Sequence, residues 1–226
     1  MGFWSWVKRL VGVKDPLAGV RWISAGENPF GVEVLDCRSF SESVVAMTGD
    51  KKVAETYALL RSSSGEQHRG RAPEDSKPCD CDLRYPHRGA TRDGPLFKSD
   101  VMEDKWDIYL YDGHLYFARS WTDDLVYRAD IAFGDDDATV NAVEARRELV
   151  EGDPAYAIAV VDYLIRSHLY GDLALHPLPK TLADDQRQLA IFSFSQYGRR
   201  GVFGTFADST RVRLPAVAPG PAPRPL

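Results

Sequence analysis

Apolar and polar residues alternate along residues 106–133, WDIYLYDGHLYFARSWTDDLVYRADIAF, with the period of two that marks strands. Asp112-Gly113 interrupts the run where a two-residue turn needs positive φ twice, the mark of a type I′ hairpin. That turn sets Tyr111 opposite His114, Leu110 opposite Leu115, Tyr109 opposite Tyr116, Ile108 opposite Phe117 and Trp106 opposite Arg119. Trp106, Ile108, Leu110, Leu115 and Phe117 then share one face. Tyr109, Tyr111, His114, Tyr116 and Ala118 share the other. A third strand carries Leu125, Tyr127, Ala129, Ile131 and Phe133 on one face. A three-residue loop at 122–124, with a bulged turn, would pair Phe117 with Ala129 and Leu115 with Ile131.

Elsewhere the pattern is shorter. Residues 20–24 and 31–37 read as strands separated by the turn cluster Gly26-Glu27-Asn28-Pro29, and residues 43–48 as another. Asp50 is an N-cap for a helix to about Arg61, with Val53, Tyr57 and Leu60 on one face. Residues 62–95 show no sustained apolar period and read as a long irregular excursion from the core, with Leu83 and Tyr85 available for one short strand or a docking point. Asp153-Pro154 opens the best helix, as N-cap and first helical residue. Ala157, Val160, Val161, Leu164, Ile165 and Leu169 form its apolar stripe, Gly171 its stop, and Asp162 with Arg166 a surface i,i+4 pair. Residues 138–150 fit strand or helix. The alternation in 190–195 and 201–206 predicts a final strand pair.

These elements predict an α+β fold: a mainly antiparallel sheet centred on 106–133, with helices on one face. Residues 13–213 read as one domain containing the 62–95 excursion. Residues 1–12 read as an N-terminal amphipathic helix, and the Pro-rich stretch 214–226 as a disordered tail. Phe3, Trp6, Val7 and Leu10 lie at helical spacing, with Trp4, Lys8 and Arg9 beside them. Such a helix docks on its own domain, or else on a partner or a membrane surface through residues 3–11.

Composition narrows the function classes. The chain has 226 residues, 44% of them apolar, enough for a genuine core. Its net charge of −5 and pI near 5.6 argue against a nucleic-acid partner. Three cysteines make no disulfide framework, and with no secretory h-region they predict a reducing cytoplasm. The wealth of Ala, Arg, Asp, Gly and Pro is compatible with a GC-rich bacterial genome.

Catalytic signatures are missing from the sequence: it has no G-x-S-x-G elbow, Walker loop, H-E-x-x-H or dinucleotide fingerprint. His168 and His176, with Asp172 between them and Arg119 at the sheet's end, are the acid–base or anion-binding candidates. Cys79-Asp80-Cys81 with His87 and His68 is the metal-like cluster, but C-x-C is tighter than a zinc knuckle uses, so neither metal nor cofactor is expected. Arg119, opposite Trp106, suits a cation–π contact. Tyr109, Tyr111, His114 and Tyr116, with Arg119 and Trp121 near them, form a binding surface if no layer covers them, and core if the helix from Pro154 does. The expected function is a cytoplasmic module that binds a partner protein, in the manner of immunity or defence-associated binders. The alternatives are an unfamiliar hydrolase or small-ligand enzyme using Arg119, Trp121, His168 and His176, or a peripheral membrane protein held by the N-terminal helix.

Overall fold

The computed structural model describes residues 15–89, 91–183, 185–212 and 214. Phe3, Trp4, Trp6, Lys8 and Arg9 of the expected amphipathic helix lie outside these residues, as does almost all of the 214–226 stretch. In chain order the regular elements are β1 (Arg21–Ile23), β2 (Val34–Asp36), α1 (Arg38–Ser41), α2 (Lys51–Leu60), β3 (Ser76–Pro86), β4 (Gly94–Phe97), β5 (Trp106–Tyr111), β6 (His114–Arg119), β7 (Leu125–Phe133), β8 (Asp137–Arg146), α3 (Arg147–Gly152), α4 (Pro154–Leu164), β9 (His176–Pro177), α5 (Gln186–Tyr197) and β10 (Phe203–Thr205). The fold is α+β, with two mostly antiparallel sheets. The larger runs β3-β8-β7-β6-β5-β4, and the smaller runs β1-β2-β10-β9.

The hairpin register follows from its turn. Asp112 and Gly113 both have positive φ, and the pairs run from Tyr111↔His114 to Trp106↔Arg119. The third strand keeps the expected facing for Tyr127 and Ala129 but slips by two residues. Leu115 meets Ala129, Phe117 meets Tyr127, and a bulge follows at Phe117/Ala118. The cause is that β6 ends early. The Ser120 amide donates to the Lys105 carbonyl, its hydroxyl donates to Asp104, and Trp121 donates to Met102. These two residues therefore belong to the 102–105 loop and not to the strand. Asp123, at φ 62°, closes the turn, and Leu125 is carried to the hairpin's other face.

Residues 62–95 are not irregular throughout. β3 is an eleven-residue edge strand paired with β8, bulged between Asp80 and Leu83. Pro78 and Pro86 and the bulge blunt this edge against further pairing. They also broke the sequence pattern. Residues 138–150 divide between β8 and α3.

α4 begins as expected, with Asp153 accepting from the Tyr156 amide and Pro154 at its first turn. It lays Ala157, Val160, Val161 and Leu164 on the face built by Trp106, Ile108, Leu110, Leu115, Phe117, Tyr127, Val140 and Val143. Past Leu164 the helix widens into a π-helical turn, Ile165–Leu169. Asp162 and Arg166 are buried, not a surface pair. Asp162 accepts from the Tyr85 hydroxyl, and Arg166 reaches the Val212 carbonyl.

The expected final strand pair is half wrong: residues 190–195 lie within α5. Asp185 caps that helix by accepting from the amides of Arg187 and Gln188. Its buried residues, Leu189, Ala190, Ser193, Phe194 and Tyr197, recur at helical spacing. The apparent alternation of Phe192, Phe194 and their serines concealed this. β10 supplies the other half, beside β2 and, in parallel, β9. Val20, Leu35, Cys37, Phe40 and Leu178 pack with α5 as a second core.

Candidate functional site

Two serine–histidine pairs form a seam around Tyr163 and hold both histidines singled out by sequence: His168 on the π-helical turn packs on Phe97 of β4 at 4.8 Å, and His176 on β9 meets Ser193 of α5. In the first, Ser167 on the π-helical turn gives its hydroxyl proton back to the Tyr163 carbonyl at 2.6 Å. Its oxygen can then only accept, and it does so from His168 Nδ1 at 2.8 Å. In the second, Ser193 of α5 donates to the Leu189 carbonyl at 2.8 Å and accepts from His176 Nε2 at 2.8 Å. Back-bonding to the i−4 carbonyl lets each serine sit inside a helix. It also fixes each imidazole tautomer, leaving His168 Nε2 and His176 Nδ1 as lone pairs, both buried with no partner among the described residues.

Burial sets the electrostatics. His168 is pushed down to about 3, by desolvation first and by the nearby Arg200 charge second. His176 is also pushed down to about 3, by desolvation alone. Both rings are neutral at ordinary pH. A Cβ on Gly204 would come within 2.7 Å of His176 Nε2, so a residue without one lets β10 close over that ring. The same burial raises the neighbouring Cys37 thiol to about 12.

The sense of the hydrogen bonds decides what these pairs can do. In an activated nucleophile the imidazole accepts the hydroxyl proton. Here each imidazole donates, and each hydroxyl proton is held by a helix carbonyl. The pairs therefore fasten helices to their surroundings. Tyr163 joins them: its ring centroid lies 5.6 Å from that of His176, and its carbonyl receives Ser167.

The remaining candidates are placed apart from this seam. Arg119 donates to the Gln196 and Ser195 carbonyls at 3.1 and 2.8 Å, so it caps the C-terminal end of α5. Its guanidinium lies 4.7 Å from the Trp106 ring, and burial lowers it to about 10. Trp121 covers the Lys105 ammonium at 4.3 Å. Burial, helped by Arg119, pushes that lysine down to about 8. None of Arg119, Trp121, His168 and His176 lines the cleft at Cys81–Arg84 or the cleft beside Tyr163 and Asp172.

Tyr109, Tyr111 and Tyr116 are buried, but beneath residues 62–71 and not beneath α4. Tyr111 donates to the Ser64 carbonyl and Tyr116 accepts from the Gly70 amide, both at 2.9 Å. His68 stands over Tyr109 and bonds Asp123. His114, at the hairpin's turn end, bonds the Asp112 carbonyl and lies 3.4 Å from Asp130. Cys79 and Cys81 donate their thiols to the Val143 and Val140 carbonyls. His87 turns instead to Gly89 and Thr91. Among the described residues no three metal-ligating side chains converge.

Sequence reasoning missed Lys105 and Arg200. Neither belongs to a motif, and each acquires its surroundings only through contacts distant in the chain. No helix among the described residues is long and apolar enough to cross a membrane. No protein-family model, curated protein or solved structure matches this chain.

Proposed function

We propose that the protein is an interaction module that receives an extended segment of a partner protein along residues 44–48. The observation that carries this reading is the state of that stretch. It lies outside every helix and strand of the fold, with Val44 and Ala46 packed against the second core. Val45 and Met47 alternate outward at 66% and 67% exposure. Among the described residues no strand pairs with it, and the Ala46 amide is held by the Glu103 side chain at 2.8 Å. Outward apolar side chains on a stretch outside both sheets meet the two needs of strand addition, main-chain partners and side-chain pockets. Leu59 of α2 is also exposed. Glu42, Asp50 and Glu103 lie in or near the stretch and favour a partner with basic flanks. By contrast, the histidines that an enzyme would use are sealed, neutral and oriented as donors.

The test is native mass spectrometry of the protein purified gently from its own host, beside the Val45→Glu/Met47→Glu variant. The expected result is a partner mass that disappears in the variant, with thermal stability changed by no more than about 0.5 kcal/mol, as for ordinary surface positions. Full retention of the partner by a folded variant, or no partner at all, would overturn the proposal.

A further inference from the structure

The described fold begins at Asp15, close to the 44–48 stretch. The Ser39 hydroxyl donates to the Pro16 carbonyl at 2.9 Å, and the Ser43 hydroxyl donates to the Ser39 carbonyl. Leu17 and Val44 pack on the same core. Two hydrogen bonds thus link Pro16 to Ser43, and the stretch starts one residue later. Residues 1–14 precede this junction and lie outside the described residues. Their reach is ample: about 21 Å as a helix and about 46 Å as extended chain. Their composition complements the stretch. Residues 1–14 carry Lys8, Arg9 and Lys14 and no carboxylate, whereas residues 42–50 carry Glu42 and Asp50 and no cation. Lys51, which follows, faces Glu55. Trp4 and Trp6 stand two residues apart, as do the outward Val45 and Met47, and Val101 is exposed on the loop whose Glu103 holds the Ala46 amide. The order matches as well. Counting back from Asp15, the basic pair comes before the tryptophans; counting forward from Ser39, Glu42 comes before Val45 and Met47.

We propose that residues 3–9 of this chain lie antiparallel along 44–48 and occupy the docking stretch until a partner displaces them. The inference rests on the reading of 44–48 as a docking stretch and names its resident occupant. Trp4 and Trp6 cover Val45 and Met47, where large rings bury the most apolar surface per residue. Lys8 and Arg9 meet Glu42, which adds little affinity at an exposed site but fixes the direction in which the segment lies. Tethering supplies an effective concentration on the order of millimolar, so a contact too weak to join separate molecules still fills the stretch. A partner must then bind more tightly than this internal competitor, which screens out weak basic segments.

NMR of the full chain with isotope-labelled methionine methyls tests this through the Met47 ε-methyl. The expected result is a set of nuclear Overhauser contacts from that methyl to the Trp4 and Trp6 indoles, unchanged over a tenfold dilution. Trp4→Ser/Trp6→Ser should abolish the contacts and move the methyl resonance. Lys8→Glu/Arg9→Glu should move it at least halfway to the same position. Contacts that fade on dilution would assign the stretch to a second copy of the chain and overturn the proposal. So would the absence of contacts, or a methyl resonance that neither variant moves. Partner capture in the native mass spectrum without Met47–indole contacts sinks this inference and leaves the docking reading standing. Contacts without any partner mass uphold the internal occupant and sink the partner reading.

Discussion

The two faces of the β5–β6 hairpin are buried to the same degree by different means. Trp106, Ile108, Leu110, Leu115 and Phe117 lie under α4 and belong to the main core. Tyr109, Tyr111, Tyr116 and Ala118 form a small separate cluster under the loop at 62–71. A helix satisfies its own backbone, so the surface it covers can be purely hydrocarbon. A loop brings unpaired amides and carbonyls, so the surface beneath it must supply partners. Tyrosine does this, with an apolar ring for burial and a hydroxyl for the loop backbone. Tyrosine on a strand face is therefore compatible with a lid of irregular chain, and is not by itself the mark of a free binding surface.

The contrast predicts different kinds of damage. Phe117→Ala, on the helix side, should cost about 3–5 kcal/mol, the range for large-to-small changes in a core. Because that core spans both α4 and the sheet, amide exchange should accelerate across all of them together. Gly65→Val, on the loop side, should cost about 2–4 kcal/mol. Gly65 has φ 80° and its added Cβ would strike the Tyr109 ring, combining a left-handed backbone cost with overpacking. Its exchange should rise mainly at residues 62–71. Global acceleration by Gly65→Val would show that the loop is part of the main cooperative unit, and would break the distinction.

Acid should act on the helix side. The folded-state values of His168 and His176 lie near 3, below the unfolded value of about 6.5. Below pH 6.5 the unfolded chain binds more protons at these sites, so stability is full above that pH and falls as pH drops toward 3. At pH 5 the loss is about 2 kcal/mol per histidine, taking about 1.36 kcal/mol per unit. Urea melts from pH 7.5 to 4.5 measure it. A His176→Gln/His168→Gln variant that still folds should lose most of the slope. An unchanged slope would assign the acid sensitivity to carboxylates.

The same contrast explains what could be read from sequence. The hairpin register was legible because Asp112-Gly113 is a local signal and each pair follows from it by counting. The third strand slipped because Ser120 and Trp121 answer to residues 102–105, which no local pattern reveals. β3 was hidden by its prolines, its bulge and its mixture of thiols and carboxylates. The seam around Tyr163 was legible only as two histidines. Burial of His176 depends on strands of two and three residues, with Gly204 beside it and Leu35 beyond, and that of His168 on Phe97, distant in the chain. Such short non-local pairings leave almost no period to detect. Arg200 was invisible for the same reason: the Ser167 carbonyl and the Phe97 ring that hold its guanidinium are brought to it only by the fold.

The smallest and sharpest test removes single oxygens from the loop-covered face. Tyr116→Phe leaves the ring in place and deprives the Gly70 amide of its acceptor. Tyr111→Phe deprives the Ser64 carbonyl of its donor. A backbone group at the loop's margin can recover water more easily than one in the core, so each should cost about 1 kcal/mol, the lower part of the range for a lost buried partner. The effect should be spatially confined, with faster exchange at residues 63–71 and almost none at 157–165. Because one variant orphans a donor and the other an acceptor, their double variant should add to about 2 kcal/mol if the two bonds hold the loop independently. A double variant no worse than either single change would mean that the loop detaches as a unit once one tether is cut. The tyrosine face would then behave as a latch over the hairpin, and its aromatic surface would be reachable by a partner at the cost of a single hydrogen bond.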